Sequence, residues 1–504
     1  MSRPQAPVRL SARELFGLVL DDESFISWDE PVVDPPAMSQ TYRAELAAAR
    51  ERTGLDEAVL TGEGRIRGRR VAVVAGEFGF LAGSIGVAAA ERLVRAVERA
   101  TAEGLPLLAA PVSGGTRMQE GTVAFVQMVK ITAAIARHKA RSLPYLVYLR
   151  HPTTGGVFAS WGSLGHVTAA EPGALVGFLG PRVYEALYGR PFPAGVQVAE
   201  NLLDHGLVDA VVAPTDIAEI VDRALNVLCA DRRLPMPAPA TDEPVPGPPL
   251  PAWEAITRSR RPDRPGVRRL LKYAATDVVP LNGTGEGEQD PGLLIALARF
   301  SGAPCVFLGQ DRRGQTEDRP LGPGALREAR RGMRLAAEFG LPLLTVIDTP
   351  GAALSVDAEQ GGLAGEIARC LADLITLGAP TLTVLLGQGT GGGALALLPG
   401  DRVIAAEHAW LSPLPPEGAS AIVHRTTDLA PRMADEQRVR ASDLVADGVV
   451  DRVVAESPDA AEQPEEFCRR LGRVLGEELV GLLCEDTAML QQRRQDRYRR
   501  LGTP

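Results

Sequence analysis

Glycine-rich turns stand at four points of this 504-residue chain, each after an apolar run typical of a buried β-strand. Glycine at such a place lets a ligand approach bare backbone N–H groups, and two turns side by side supply the donors of an oxyanion hole. Tight packing of a helix on a sheet also selects glycine, so a single turn decides little. The four turns are Ser113-Gly114-Gly115, Thr154-Gly155-Gly156, Pro350-Gly351-Ala352 and Gly391-Gly392-Gly393.

The four turns belong to two copies of one domain. Landmarks of the first copy return in the second in the same order, and the separation between matched landmarks stays nearly constant along the chain. A duplicated domain offers two similar pockets that can hold two reactants. The matched landmarks are Leu105-Pro106-Leu107 with Leu341-Pro342-Leu343, Gly155-Gly156 with Gly392-Gly393, Ala170-Glu171 with Ala406-Glu407, and Gly206-Leu207-Val208-Asp209 with Gly448-Val449-Val450-Asp451.

Strands and helices alternate in both copies, which predicts an α/β fold with parallel strands and crossover helices. The first copy is predicted to contain strands 69–74, 105–110 and 145–149 with helices 86–102 and 122–140, after a helix 39–52. The second copy is predicted to contain strands 341–347 and 381–386 with helices 324–339 and 362–377. Residues 465–500 are predicted to form a C-terminal helix that ends in a basic run.

Composition predicts the domain boundaries. Ten prolines stand between Asp231 and Pro265, a density that no helix or central strand accommodates. We therefore expect a lead-in at 1–65, a first domain at 66–230, a proline-rich linker at 231–265 and a second domain at 266–504.

Charge and apolar patterning exclude several classes of protein. The net charge of −9 argues against general nucleic-acid binding. Apolar runs are interrupted before they reach the roughly 18 residues that a membrane span needs, and the N-terminus has no signal-peptide core. Five scattered cysteines form no disulfide-like or metal-binding pattern, and six histidines form no recognisable triad or metal cluster. We expect a cytoplasmic protein with no metal site.

One turn also matches a dinucleotide-binding fingerprint. The segment 387–392 fits G-x-G-x-x-G, follows a strand and has Glu407 about twenty residues further on. That fingerprint belongs to the first βαβ unit of its domain, whereas this segment lies deep inside one. Its duplicate at 151–156 lacks the pattern. The nicotinamide interpretation is therefore disfavoured.

Several segments together resemble a known family. In the first copy they are Gly76 to Gly86, Ser113 to Glu120, Pro152 to Ser160, Ala170-Glu171-Pro172 and Gly177 to Arg182, which look like the β subunit of acetyl-CoA carboxylase carboxyltransferase. In the second copy they are Ile347 to Ala352, Gly387 to Ala396 and Pro416 to Ser420, which look like the α subunit. Order and spacing agree over about residues 40–225 and 265–500, so the chain resembles a fusion of the two subunits.

The resemblance implies a crotonase-like fold in each half and transfer of carboxyl from N1-carboxybiotin to acetyl-CoA, giving malonyl-CoA. Such chemistry develops one oxyanion on the thioester and one on the biotin ureido group, which requires two holes. Backbone N–H groups around Gly114-Gly115 and Gly155-Gly156 are expected to serve the acyl-CoA. Those around Gly351-Ala352 and Gly392-Gly393 are expected to serve biotin, and no side-chain base is required.

Cofactor binding is assigned to Arg117, Gly391 and Ala394. Arg117 is the first candidate for a contact with a phosphate or carboxylate of coenzyme A, although pairing with Glu120 explains it equally well. The resemblance also implies that a β-type half of one protomer faces an α-type half of another, which requires at least a homodimer. The chain has neither a biotinylation motif nor an ATP-binding domain, so a separate biotin carboxyl carrier protein and biotin carboxylase are expected partners.

The chain departs from the family pattern at three places. It lacks the N-terminal four-cysteine zinc ribbon, so no zinc is expected, and the segment 353–360 replaces the usual continuation of the α-type turn. Gln315, Glu317 and Asp318 stand where basic residues are expected. A carboxyltransferase for propionyl-CoA or another acyl-CoA, a biotin-independent decarboxylase of malonyl-CoA type, and an inactive scaffold remain alternatives.

Overall fold

The computed structural model describes residues 9–34, 38–236 and 244–502. The chain divides into two compact units: residues 1–225 with 285–287, and residues 226–284 with 288–504. Part of the predicted N-terminal lead-in, and residues 237–243 of the predicted linker, lie outside the described residues. No helix in the described ranges is long and apolar enough to cross a membrane.

The first unit contains a seven-stranded sheet in the order β1-β2-β3-β4-β5-β7-β9. The pairs β1–β2 and β2–β3 are antiparallel, and every later pair is parallel. A small parallel pair, β6–β8, stands apart from it. The strands are β1 (Ile26–Ser27), β2 (Val59–Ile66), β3 (Arg69–Gly76), β4 (Leu107–Ala110), β5 (Tyr145–Leu149), β6 (Thr153–Thr154), β7 (Val167–Ala170), β8 (Val176–Gly177) and β9 (Ala210–Val211).

Seven helices accompany these strands in the described part of the chain up to Leu228. The first begins with a capping box in which Ser11 and Glu14 satisfy each other's backbone N–H groups. Buried apolar residues of α3 and α4 pack on the sheet and form its main core. The helices are α1 (Ala12–Val19), α2 (Gln40–Thr53), α3 (Val87–Glu103), α4 (Gly121–Lys139), α5 (Pro181–Tyr188), α6 (Ala199–Asp204) and α7 (Ile217–Leu228).

The second unit repeats the sheet, in the order β10-β11-β12-β13-β14-β15-β17 with β16 beside β14. Again the first two pairs are antiparallel and the others parallel. The strands are β10 (Ala275–Leu281), β11 (Leu293–Phe300), β12 (Ala303–Gln310), β13 (Leu343–Thr349), β14 (Thr381–Thr390), β15 (Arg402–Ala406), β16 (Trp410–Ser412) and β17 (Arg452–Val454).

The helices of the second unit supply part of its core. Buried leucines of α17, including Leu471, Leu475 and Leu479, pack inside the unit. The helices are α8 (Ala252–Ser259), α9 (Val267–Ala274), α10 (Pro323–Phe339), α11 (Val356–Gln360), α12 (Leu363–Ile375), α13 (Gly391–Leu395), α14 (Pro416–His424), α15 (Ala430–Glu436), α16 (Ala441–Ala446), α17 (Pro464–Leu483) and α18 (Thr487–Arg500).

The central helices and strands of the two units match in length and in where they end. Helices α3 and α10 are both 17 residues long. They end before Gly104 and Gly340, whose φ angles of 67° and 60° give both helices a left-handed cap. Strands β3 and β12, which precede them, are both 8 residues long. The duplication predicted from the sequence is therefore visible in the fold.

Three predicted elements differ from the structure. Residues 59–66 form β2, a full member of the first sheet, although they fall in or next to the predicted lead-in. The proline-rich segment contains α8, a helix that starts directly after Pro251. The predicted C-terminal helix is two helices, because Asp486 accepts a hydrogen bond from the N–H of Met489 and begins α18 anew.

Candidate oxyanion holes

The structure brings the two predicted turns of the first unit together. The first turn follows β4 and the second follows β6. A Cβ atom placed on Gly155 would lie 3.4 Å from the Cα of Gly115. Both glycines have positive φ angles, 116° at Gly115 and 62° at Gly155, which other residues rarely adopt. Glycine is therefore favoured here by the backbone conformation, and the two backbones lie in van der Waals contact.

Three of the four predicted donors in this unit are already engaged. The N–H of Gly114 donates to the carbonyl of Ala82 at 2.8 Å, and that of Gly155 to the carbonyl of Phe178 at 3.0 Å. The N–H of Gly115 donates to Ser113 Oγ at 2.9 Å. Gly156 is the predicted donor whose N–H has no acceptor among the described residues. The role of Gly114, Gly115 and Gly155 is thus to shape the turns, which corrects their assignment as donors.

A donor that the sequence did not indicate lies beside Gly156. Thr116 follows the first turn, and its N–H also donates to no acceptor in the part of the chain described. Thr116 Oγ1 lies 3.4 Å from the position of a Cβ on Gly156. Both residues are partly exposed, so their N–H groups can be reached by a ligand. Thr116 and Gly156 are the candidate donors of the first unit.

The second unit brings its two turns together in the same way. A Cβ atom on Gly393 would lie 3.3 Å from the backbone nitrogen of Ala352 and 3.1 Å from the Leu321 side chain. The N–H of Gly351 is held by Thr349 Oγ1 at 3.1 Å, as the N–H of Gly115 is held by Ser113 in the first unit. The N–H of Ala352 has no acceptor among the residues described.

Gly392 and Gly393 supply further N–H groups at the start of α13. An α-helix offers no acceptor to the N–H groups of its first turn, and these two have none outside the helix among the described residues. The N–H of Gly391 is engaged in the pairing of Thr390 with Ser412. This helix has only 5 residues, so its dipole adds little. Any attraction for a negatively charged oxygen comes mainly from the N–H groups themselves. Ala394, assigned above to cofactor binding, is completely buried, so its side chain cannot face a ligand.

The φ angles correct the register of the second turn. Gly155 and Gly391 have φ angles of 62° and 63°, and their separation in sequence equals that between the first residues of α3 and α10, Val87 and Pro323. Gly156 therefore corresponds to Gly392, and the counterpart of Gly393 is Val157, a buried residue. The sequence comparison had paired Gly155 with Gly392 because three consecutive glycines hide a shift of one position.

Arg117 is a structural residue, which corrects its assignment to coenzyme A. Its guanidinium is 0% exposed and pairs with Glu57 at 2.7 Å, while the same nitrogen also donates to the carbonyl of Ser84 at 2.7 Å. Although burial alone would lower the pKa of Arg117, the Glu57 carboxylate holds it above its ordinary value. Glu120, the expected partner, is 3.6 Å away. No face of this arginine is left for a ligand.

The second unit contains three polar side chains that tie its turns together and that sequence reasoning missed. Gln310 Nε2 donates to the carbonyl of Gly393 at 2.7 Å, and its Oε1 accepts the N–H of Asp348 at 3.2 Å. Asp348 Oδ1 accepts the N–H of Gln388 at 3.1 Å, and burial raises the pKa of this carboxyl. Gln315 Oε1 accepts from Thr349 Oγ1 at 2.6 Å. Their partners are distant in sequence, so no local pattern marks them.

His138, His151 and His166 make structural contacts. Burial lowers the pKa of His138 to about 4, and its ring contacts Thr101. The Nδ1 atoms of His151 and His166 accept backbone N–H groups. Burial also lowers the pKa of His151. In the described residues no group of three or more His, Cys, Asp or Glu could hold a metal ion.

A profile of the carboxyl transferase domain matches residues 9–476 of the chain. The chain belongs to the carboxyl transferase family. Within this family, a protein of Mycobacterium tuberculosis named "Probable biotin-dependent acyl-coenzyme A carboxylase beta3 subunit" is 62% identical over 497 residues, covering 98% of this chain and 99% of that protein. A protein of Salinispora arenicola named "Acetyl-coenzyme A carboxylase carboxyl transferase subunits beta/alpha" is 38% identical over 515 residues, covering 98% and 91%.

Solved structures agree on the fold. A transcarboxylase 12S structure, described as a hexamer assembly with hydrolysed methylmalonyl-coenzyme A bound, superimposes on the carboxyl transferase chain with a TM-score of 0.71 at 23% identity, covering 91% of this chain and 88% of that one. A single-chain, multi-domain long-chain acyl-CoA carboxylase gives a TM-score of 0.70 at 19% identity, covering 90% and 45%. The predicted crotonase-like α/β fold is confirmed, and so is the carboxyltransferase class.

Proposed function

We propose that this protein is the carboxyltransferase component of a biotin-dependent acetyl-CoA carboxylase. It moves carboxyl from N1-carboxybiotin, carried by a separate protein, to acetyl-CoA and gives malonyl-CoA for fatty acid or polyketide synthesis. One observation carries the proposal: in each unit two glycine-rich turns touch and leave backbone N–H groups without an acceptor in the described chain, at Thr116 and Gly156 and at Ala352.

The chemistry explains why two such places are needed. Loss of carboxyl from biotin N1 leaves negative charge on the ureido oxygen, and removal of a methyl proton from the thioester leaves it on the thioester oxygen. Preorganised N–H donors stabilise each charge where it develops. The ureido anion itself takes the methyl proton, so no histidine or carboxylate is required as a base.

The two units divide the work in this proposal. Thr116 and Gly156 of the first unit are assigned to the acyl-CoA carbonyl, because the segments around them resemble the β subunit. Ala352 and Gly392, the counterparts of Thr116 and Gly156, are assigned to the biotin ureido oxygen, because their segments resemble the α subunit. Biotin carboxyl carrier protein and biotin carboxylase are the proposed partners, and the cytoplasm, where free cysteines persist, is the proposed location.

Exposed apolar side chains support the proposed homodimer or larger assembly. Helix α4 presents Val123, Phe125, Val126 and Val129 to solvent, each more than half exposed, and Met118 precedes them. In the second unit, Leu354 is 97% exposed and lies beside the turn at Gly351. Apolar surfaces of this kind mark protein interfaces. We infer that they are covered when the unit carrying α4 in one protomer meets the second unit of another.

The 62% identical relative supports a second acyl substrate. Its name specifies an acyl-coenzyme A without saying which acyl group, so propionyl-CoA or another acyl-CoA is the alternative acceptor. Carboxylation rates with acetyl-CoA and propionyl-CoA, measured with the same carboxylated carrier protein, decide between them. A kcat/KM higher for propionyl-CoA would overturn acetyl-CoA as the substrate and leave the carboxyltransferase class intact.

The reaction class is tested in reverse with malonyl-CoA and free biotin. Release of carbon dioxide that depends on biotin is the expected result. Release that needs no biotin identifies a decarboxylase, and a folded protein with no turnover under either condition refutes both activities.

The assembly is tested by light scattering on the purified chain. The wild type is expected to have at least twice the mass of one chain, and Phe125→Asp is expected to lower that mass. Val33→Asp, which changes an exposed valine elsewhere in the first unit, is the matched control. A monomeric wild type contradicts the proposed homodimer.

A further inference from the structure

The end of β12 carries a buried amide that spans both turns of the second unit. Gln310 is the last residue of this strand and is 0% exposed. Its Nε2 donates to the carbonyl of Gly393 at 2.7 Å, and its Oε1 accepts the N–H of Asp348 at 3.2 Å. The two ends of one side chain therefore hold the start of α13 and the end of β13 at a fixed separation.

The first unit has no such link at the equivalent position. Its strand β3, which has the same length as β12, ends at Gly76. A Cβ on Gly76 would lie 2.8 Å from the carbonyl oxygen of Val112, so no side chain fits there. The first unit joins its turns mainly through the main chain: the N–H of Ser113 donates to Pro152 and that of Thr154 to Ser113, and Thr154 Oγ1 adds a 3.3 Å bond to the Ser113 carbonyl. At this strand end, only the second unit carries a bridging amide.

The geometry around Gly393 leaves little room for movement. The position of a Cβ on Gly393 is only 3.3 Å from the nitrogen of Ala352. The Gln310 bond fixes the direction of the Gly393 carbonyl, and hence the orientation of the turn that follows β14. Without it, the buried carbonyl would lose its donor, which costs free energy and favours rotation of the peptide.

We propose that Gln310 is a positioning residue for the oxyanion hole of the second unit: its amide holds Gly393 against Ala352 so that the N–H groups of Ala352 and Gly392 face one ureido oxygen. This inference rests on the function proposed above. It predicts that the amide acts on the rate of carboxyl transfer and not on the affinity for acyl-CoA. A residue that merely fills the core would not show this division.

The Gln310→Glu variant provides the sharpest test. An ionised carboxylate still accepts the Asp348 N–H, but its second oxygen faces the Gly393 carbonyl without a proton. A protonated carboxyl donates to that carbonyl and restores the wild-type arrangement. The charged groups near this position are Asp348, Asp311, Arg312 and Arg264, all present in the wild type. The wild-type pH profile is therefore the reference.

The assay is biotin-dependent decarboxylation of malonyl-CoA, followed from about pH 6 to about pH 8.5. We expect kcat of Gln310→Glu to be about 100-fold below wild type at the alkaline end and to recover towards wild type at the acidic end. KM for malonyl-CoA should stay within about twofold of wild type. Gln492→Glu, at an exposed site on α18, is the matched control and should follow the wild type throughout.

A second variant covers the case in which the glutamate is not tolerated. Gln310→Met keeps the volume and removes both hydrogen bonds. Amide hydrogen exchange is expected to quicken in peptides covering residues 350–354 and 391–396 and to stay unchanged at residues 113–117. Unchanged exchange in Gln310→Met, a pH-independent loss in Gln310→Glu, or a kcat within about threefold of wild type in both variants overturns the proposal. A wild type without biotin-dependent turnover refutes the proposed function instead.

Discussion

The two units hold the same pair of turns together with different sets of hydrogen bonds. In the first unit the turns are joined by main-chain hydrogen bonds between Ser113, Pro152 and Thr154, with one longer bond from Thr154 Oγ1 to the Ser113 carbonyl. In the second unit, the side chains of Gln310, Asp348 and Gln315 also tie the turns. Main-chain pairing depends on the fold and tolerates many sequences, whereas a side-chain tie is lost with a single substitution. The second unit is therefore expected to be the more sensitive to mutation.

The same contrast appears behind the turns, on the matched helices α3 and α10. Position 92 is an arginine in α3, paired with Asp56 at 2.8 Å, and the equivalent position 328 in α10 is a glutamate. Burial raises the pKa of Glu328 to about 8, against a hydrogen bond from the Asp290 N–H that lowers it. One helix thus buries a paired charge and the other buries a carboxyl that is neutral near physiological pH. A duplicated fold preserves backbone register more strictly than the charge of its core.

The largest effect is expected where the two units agree. Each contains a fully buried ion pair, Arg117 with Glu57 in the first unit and Arg264 with Glu456 in the second, both at 2.7 Å. Replacing either glutamate by alanine leaves a buried guanidinium without its counter-ion. We expect a loss of about 3–5 kcal/mol of unfolding free energy in each variant, measured by chemical denaturation.

The control for these variants is an exposed pair. Arg469 and Glu465 face solvent one helical turn apart on α17, so Glu465→Ala should change the unfolding free energy by less than about 0.5 kcal/mol. If Glu57→Ala proved as mild as this control, the buried pair would not anchor the first unit as described.

The second effect concerns catalysis and tests whether each unit supplies a hole. A Cβ on Gly156 would lie 3.3 Å from Met128, and one on Gly393 would lie 3.3 Å from the nitrogen of Ala352. Valine at either position displaces the turn, so kcat for biotin-dependent decarboxylation should fall about 10²–10³-fold in both variants. Equal losses support one hole in each unit.

The control is Gly378→Val, because a side chain at Gly378 meets nothing within 4 Å. It should retain wild-type activity. A loss confined to one of the two turn variants, with both proteins folded by circular dichroism, would contradict the division of work between the units.

Much of the fold could be predicted from the sequence because it depends on local patterns. Strand 145–149 is observed with the predicted ends, and predicted helix 324–339 is observed as Pro323–Phe339. The break before α18 was missed, although Asp486 is a typical N-cap residue. Apolar spacing reports where an element lies more reliably than where it stops.

The site could be predicted only in part, because its hydrogen bonds join residues that are far apart in sequence. The four turns lie where they were expected, but Arg117 pairs with a residue 60 positions earlier, and Gln310 reaches across 83 positions to Gly393. The donor at Thr116 was not predicted because any residue other than proline carries a backbone N–H. Which N–H groups remain available depends on which are consumed by the fold, and that is a property of the tertiary structure alone.

The third effect is a pH dependence that arises on α10 and not at the matched position of α3. The pKa of Glu328 is raised from an ordinary value of 4.5 to about 8, so between these pH values the folded protein holds a proton that the unfolded chain has lost. The unfolding free energy should therefore fall as pH rises through this window, by about 1.4 kcal/mol per pH unit for one group. Above about pH 8 this loss is complete.

The Glu328→Gln variant isolates the contribution, because its amide is neutral at every pH. Its unfolding free energy, measured by urea denaturation from about pH 5 to about pH 8, should fall less steeply than that of the wild type by the slope of one proton. Glu465→Gln, on the surface of α17, is the matched control and should keep the wild-type slope. Parallel curves for Glu328→Gln and wild type would show that Glu328 is ionised when folded.

The smallest effect concerns one hydroxyl group in each unit. Ser113 Oγ and Thr349 Oγ1 each accept the N–H of the glycine two residues later, but only Thr349 also donates to a buried amide, Gln315 Oε1, at 2.6 Å. Removing the hydroxyl by Ser113→Ala should cost about 1 kcal/mol of unfolding free energy, the value of one hydrogen bond. Thr349→Val keeps the shape but leaves the Gln315 oxygen without that donor, so it should cost about 1–3 kcal/mol. Thr349→Ser should restore stability. If the two deletions cost the same, the side-chain ties of the second unit add nothing to the main-chain pairing that both units share.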